Sequence, residues 1–126
     1  MTSQTIGFAG LSHLGIISSA AVASKGFEVT GYDSDLDLCA SLTAGQSPVL
    51  ETGLPELMES HKGSLRYTPD ISALRECGLV YFSADMATDD DNQGDLQSLR
   101  HLISQVVDAV TPETLLVVLS QVPPGF

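Results

Sequence analysis

The sequence predicts an α/β domain, a doubly wound parallel sheet with helices on both faces in a three-layer αβα sandwich. Three observations carry this reading. Short apolar runs alternate with helical patterns along the whole chain, the signature of parallel strands joined by helical crossovers. A glycine-bounded turn, Gly10 to Gly15, links the first run to the first helical pattern. The length, 126 residues, suits one domain with one core. Right-handed crossovers then favour the strand order 3-2-1-4-5.

Thr5–Ala9 is short and apolar and ends at a glycine turn, as a buried parallel strand does. From His13 to about Lys25 a helix is expected, with Leu14, Ile17 and Ala21 recurring at helical spacing and Gly26 closing it. Glu28–Tyr32 is a second strand with Asp33 at its carboxyl end. Asp35 can cap a helix running to about Thr43, and residues 45–55 are turn-rich. A short helix over 55–61 starts with Pro55 in its first turn. Leu65–Thr68 is a brief strand, after which Asp70 or Ser72 caps a short helix to Arg75. Residues 79–84 form another buried strand, and an acidic loop follows over 89–94. Leu96, Leu99, Ile103, Val106, Val107 and Val110 mark the strongest amphipathic helix, read as core packing. Thr111 and Pro112 stop it, and residues 115–119 form a last apolar strand.

Sixteen acidic residues face five basic ones, for a net charge of −11. Such a field repels nucleic-acid backbones and anionic lipid, so neither is expected as a partner. An anionic cofactor must instead be held by local backbone donors. No apolar run approaches the roughly 20 residues that span a bilayer, and the first residues lack a basic n-region. Cys39 and Cys77 are widely spaced, which suits free thiols in a reducing, cytoplasmic setting. The acidic loop matches a calcium loop only in part, with Gln93 and Arg100 at key positions, so no metal site is expected. His61 and His101 read as isolated surface side chains.

The turn carries the chemistry. A dinucleotide fold uses a first glycine for the tight turn, a second for close approach of the pyrophosphate and a third for helix–strand packing. Gly10 and Gly15 fill the first and third places, and Ser12 stands at the second. Serine can donate a hydrogen bond there, but it can also impose a φ that glycine adopts freely. The following helix still aims free N–H groups and its positive dipole end at the site. Asp33 lies 18 residues after Gly15, placed to accept both adenosine ribose hydroxyls and to repel a 2′-phosphate. The set describes a Rossmann-type domain for NAD rather than NADP. Its candidate cofactor residues are Gly10, Ser12, His13, Leu14, Gly15 and Asp33.

Later blocks extend the pattern. Pro48-Val49-Leu50-Glu51-Thr52-Gly53-Leu54-Pro55-Glu56-Leu57 resembles the P-I-x-E-P-G-L-x-E-L segment of UDP-glucose/GDP-mannose dehydrogenases. Leu65-Arg66-Tyr67-Thr68-Pro69-Asp70 resembles the L-R-F-T-T-D of that family, and Gly94-Asp95-Leu96 ends a similar acidic loop. Ser120-Gln121-Val122-Pro123-Pro124-Gly125 resembles its S-T-V-P-P-G-T. Hydroxyacid dehydrogenases share the glycine turn but not these blocks. The resemblance implies that residues 1–126 are the N-terminal NAD-binding domain of an enzyme that oxidises C6 of a nucleotide sugar from alcohol to carboxylate. It also implies that the catalytic cysteine and lysine lie later in a longer parent, homo-oligomeric when full length. No catalytic residue is expected in this chain, and neither Cys39 nor Cys77 matches the family nucleophile.

Asp85 and Met86 stand where the family has glycine and threonine, and Gln121 and Phe126 stand where it has threonines. With Ser12 they fall at carboxyl ends of strands, where α/β sheets bind ligands. Asp85 and Gln121 therefore join the candidate cofactor residues, and the pattern suggests a divergent member with altered cofactor affinity or substrate. Two other readings stay open. One is a binding or regulatory Rossmann module without catalysis, and the other is a different small-molecule enzyme on this fold, such as a methyltransferase. Glu51 and His13 could each serve the site or merely hydrogen-bond locally.

Overall fold

The computed structural model describes residues 5–47, 51–83 and 93–119, with the backbone alone described for 93–96. Its elements run β1 (Thr5–Ala9), α1 (His13–Ala23), β2 (Glu28–Tyr32), α2 (Leu36–Thr43), α3 (Leu54–Ser60) and β3 (Leu65–Thr68). A 3₁₀ helix (Ile71–Glu76) precedes β4 (Leu79–Phe82), α4 (Gln93–Ala109) and β5 (Leu115–Val118). All four strand pairings are parallel, in the order β3-β2-β1-β4-β5. This is the expected doubly wound sheet.

Side chains alternate across the sheet, as the two-residue strand period requires. Phe8, Val29 and Tyr67 join Ile16, Ala20, Cys39, Leu42 and Met58 under α1, α2 and α3. Ala9, Tyr32, Val80 and Phe82 join Leu74, Leu99 and Val106 under the 3₁₀ helix and α4. Gly31 in β2 makes room on the first face: a Cβ there would lie 2.7 Å from the Tyr67 ring and 2.9 Å from Leu11. The Tyr67 hydroxyl meets Ser19 at 2.8 Å, so a buried phenol and a buried hydroxyl satisfy each other. Burial pushes the Tyr67 phenol up, and that Ser19 bond partly offsets it.

Several boundaries follow from local chemistry. The Asp35 carboxylate accepts from Leu38 N at 3.1 Å and caps α2. Asp70 accepts from the Ser72 amide at 3.1 Å and its hydroxyl at 2.7 Å, starting a 3₁₀ rather than an α turn. Gly53 enters α3 at φ 85°, with Pro55 in the first turn. α1 ends at Ala23, earlier than its apolar run suggests, and residues 24–26 tighten into a turn that reaches Gly26 at φ 98°.

The face of α1 differs from expectation. Leu14 is 42% exposed, while Ile16, Ser19, Ala20 and Ala23 are buried. The helix is apolar on nearly every side, so periodicity could not set its rotation. Close packing at Gly15 sets it instead. On α4, Leu99 and Val106 are buried but Val107 faces solvent.

Both cysteines are buried and unpaired. Burial pushes the Cys77 thiol up to about 11, opposed by a Thr30 hydrogen bond and reinforced by Glu76. The unfolded thiol ionises near pH 9.0, whereas the folded one holds its proton to about 11. Unfolding therefore releases a proton in that window, and stability falls as pH rises from 9 to 11. Thermal melts across this range should lose roughly 5 °C more for the native chain than for Cys77→Ala. Parallel pH slopes for the two would contradict it.

Candidate functional site

The carboxyl ends of β1 and β2 and the start of α1 converge on the residues between Ala9 and Gly15. Gly10 takes φ 91°, a left-handed value that glycine adopts without a Cβ clash. Its amide donates to Tyr32 O at 2.9 Å, which pins the turn to the end of β2. Gly15 has a different role. A Cβ on it would lie 2.6 Å from both Gly10 O and Ser83 Oγ, so only glycine allows α1 to approach the sheet this closely.

Ser12 resolves the question its presence raised. It lies at φ −77° and ψ −176°, extended backbone open to any residue, so the serine brings no strain. Its hydroxyl donates to the Ser83 carbonyl and accepts from Gly15 N at 3.3 Å. Ser12 is thus the N-cap of α1. Its single proton is already committed, so its side chain is not a free donor for a phosphate.

The backbone supplies the donors. Leu11 N donates to Asp33 and Gly15 N to Ser12. The amides of Ser12, His13 and Leu14 have no partner among the described residues, and they stand where the α1 dipole is positive. Three unpartnered amides at a helix start are an anion cradle by ordinary physical chemistry.

Asp33 is held from two sides. One oxygen accepts from Leu11 N at 2.9 Å and the other from Asp35 N at 3.0 Å. A carboxylate has about four lone-pair sites, so each oxygen retains acceptor capacity toward solvent or ligand. The group is therefore oriented beside the amide cradle without being used up. Its charge is also felt by Tyr32, whose phenol is pushed up first by burial and then by Asp33 and Cys39.

The His13 side chain turns outward, with Nε2 3.9 Å from Glu51 Oε2 and both side chains more than half exposed. A contact so exposed is weak. It nevertheless brings the turn-rich segment before α3 to the glycine turn. Gly10, Ser12, His13, Leu14, Gly15 and Asp33 are thus gathered at one place. Asp85 and Gln121, with Met86 and Phe126, lie outside the described residues. Sequence reasoning passed over Leu11, whose amide anchors Asp33, and Ser83. A small polar residue closing an apolar strand was the available signal for Ser83.

A family model for the UDP-glucose/GDP-mannose dehydrogenase family, NAD binding domain, matches residues 4–126. The chain belongs to this family. The matched part is the NAD-binding domain of these dehydrogenases, so NAD is its cofactor. Among relatives, a UDP-glucose 6-dehydrogenase of Haloferax volcanii is 33% identical over 92 residues, 72% of this chain and 21% of its own length. An uncharacterized protein of Methanocaldococcus jannaschii is 26% identical over 97% of this chain and 14% of its own length. The chain thus spans less than a quarter of either relative. Among solved structures, a UDP-D-ManNAc dehydrogenase of Pyrococcus horikoshii superposes with a TM-score of 0.84. It is 24% identical over 97% of this chain and 29% of that one, which supports the fold alone.

NAD fits the residues present. A pyrophosphate needs backbone donors, and the Ser12, His13 and Leu14 amides, with no partner among the described residues, would suit it; a ribose diol needs an oriented acceptor, and the Asp33 carboxylate would suit that.

Proposed function

We propose that residues 1–126 form the cofactor domain of a longer enzyme that oxidises the C6 alcohol of a nucleotide sugar to the carboxylate. The observation carrying this reading is the double anchoring of Asp33 beside three amides at the start of α1 that have no partner among the described residues. That arrangement suits a ligand with a diphosphate next to a ribose diol. NAD, when bound, supplies the hydride acceptor for alcohol oxidation.

The chain's own residues bind and orient. The amides of Ser12, His13 and Leu14 hold the diphosphate, Asp33 accepts from the ribose hydroxyls, and Gly10 and Gly15 keep the two at fixed separation. Local donors matter because the chain carries a net charge of −11, which opposes an anionic ligand at long range. Asp85 and Gln121 are proposed to complete the cofactor contacts. Cys39 and Cys77 are buried with raised thiol pKa values, and neither is placed to act as a nucleophile. The nucleophile and the sugar-nucleotide site are assigned to the remainder of the parent, which is proposed to be cytoplasmic and homo-oligomeric. No helix of the described residues is long and apolar enough to cross a membrane.

Isothermal calorimetry tests the reading. The chain should bind NAD stoichiometrically, NADP at least about tenfold more weakly as like-charge repulsion at Asp33 predicts, and S-adenosylmethionine not at all. Failure to bind NAD at millimolar concentration would instead favour a Rossmann module that has lost its ligand.

A further inference from the structure

Ser83 stands one residue beyond β4, fully buried, and each of its polar groups goes to the segment that makes the glycine turn. Its amide donates to Ala9 O at 2.9 Å. Its hydroxyl donates to Gly10 O at 2.7 Å, and its carbonyl accepts from the Ser12 hydroxyl. Ser12 in turn accepts from Gly15 N at 3.3 Å. These bonds tie Gly10, Ser12 and Gly15 to one residue of a neighbouring strand. The hydroxyl also fills the space that Gly15 leaves open, since a Gly15 Cβ would lie 2.6 Å from it.

We propose that Ser83 is a positioning residue for the dinucleotide, forming with Ser12 a latch that holds the glycine turn with the Ser12, His13 and Leu14 amides facing the cofactor. The inference rests on the reading above that the diphosphate sits at the start of α1. It explains how a serine is accommodated at the place where the fingerprint has glycine. Its extended φ costs nothing, and the Ser83 carbonyl takes the hydroxyl proton toward β4 while the oxygen still caps Gly15 N. Because the two side chains act on one turn, their bonds reinforce each other. Without the Ser83 hydroxyl, the buried Gly10 carbonyl loses its side-chain donor and the turn is fixed at fewer points.

The test compares the native chain, Ser83→Ala and Ser83→Cys by backbone hydrogen exchange without cofactor and by calorimetry with NAD. Ser83→Ala should speed exchange of the hydrogen-bonded Leu11 and Gly15 amides about tenfold while exchange across α4 stays within twofold. It should also raise the NAD Kd about five- to tenfold. Ser83→Cys, a similar size with a weaker donor, should fall between the two. If Ser83→Ala does not fold, Ser12→Ala cuts the same network from its partly exposed side and should give the same two shifts. Unchanged exchange at both Leu11 and Gly15 would overturn the latch whatever NAD does. Faster exchange with an NAD Kd within twofold of native would reduce Ser83 to a structural bond and overturn its positioning role. A native chain that never binds NAD would overturn the site reading, and this proposal with it.

Discussion

Replacing Gly15 with alanine is expected to destabilise the chain by about 2–3 kcal/mol and to abolish measurable NAD binding. Helix propensity alone predicts the opposite sign, because alanine in a helix is favoured over glycine by roughly 1 kcal/mol. Sterics reverse it. The new Cβ would sit 2.6 Å from a backbone carbonyl oxygen, Gly10 O, and 2.6 Å from the Ser83 hydroxyl. Gly10 O is backbone and the Ser83 hydroxyl is held by its bond to that same oxygen, so α1 must move away from the sheet, carrying the His13 and Leu14 amides with it. Gly26→Ala is the control. That glycine has φ 98° but nothing within 4 Å of an added Cβ, so it should cost only the left-handed penalty of roughly 1–2 kcal/mol and leave NAD affinity intact. Urea denaturation and calorimetry on both variants decide the matter. Equal stability losses with NAD binding retained in Gly15→Ala would show that helix and strand are not in obligatory contact there.

The contrast explains what could be read from the sequence. Glycines at 10 and 15, a helix after them and an acid at the end of the next strand fix the topology, because parallel strands with right-handed crossovers leave few alternatives. All five strands and their order were legible for that reason. The rotation of α1 was not. Leu14, Ile16, Ile17, Ala20 and Ala21 cover most of its circumference, and only the contact of Gly15 with Gly10 and with Ser83, a residue distant in sequence, selects the buried face. Ser12 was legible as a departure, and its cap bond reaches only to Gly15 N, but its tie to Ser83 was not legible, since that acceptor is a backbone carbonyl 71 positions away. Backbone acceptors leave no trace in side-chain identity. Leu11 escaped notice similarly, because it serves Asp33 through its amide while its side chain reads as ordinary core.

Removing the carboxylate of Asp33 is expected to weaken NAD binding about 100-fold, near 3 kcal/mol, and to collapse most of the preference for NAD over NADP. Hydrogen bonds to a charged group contribute about 1.5–3 kcal/mol each, and the proposed site asks Asp33 for two of them to the ribose. Asp33→Ala also strands the Leu11 and Asp35 amides that the carboxylate now receives at 2.9 and 3.0 Å. Asp33→Asn also damages the anchor, though less. Both oxygens face backbone N–H donors, so whichever way the amide turns, its NH₂ meets a donor and one bond is lost. The informative quantity is thus the ratio of the two cofactors, which cancels damage to the turn. NADP binding should fall far less than NAD binding in Asp33→Asn, because the lost repulsion of the 2′-phosphate offsets the lost contacts. Equal weakening of NAD and NADP would make Asp33 a strut of the glycine turn alone, and would move ribose recognition elsewhere.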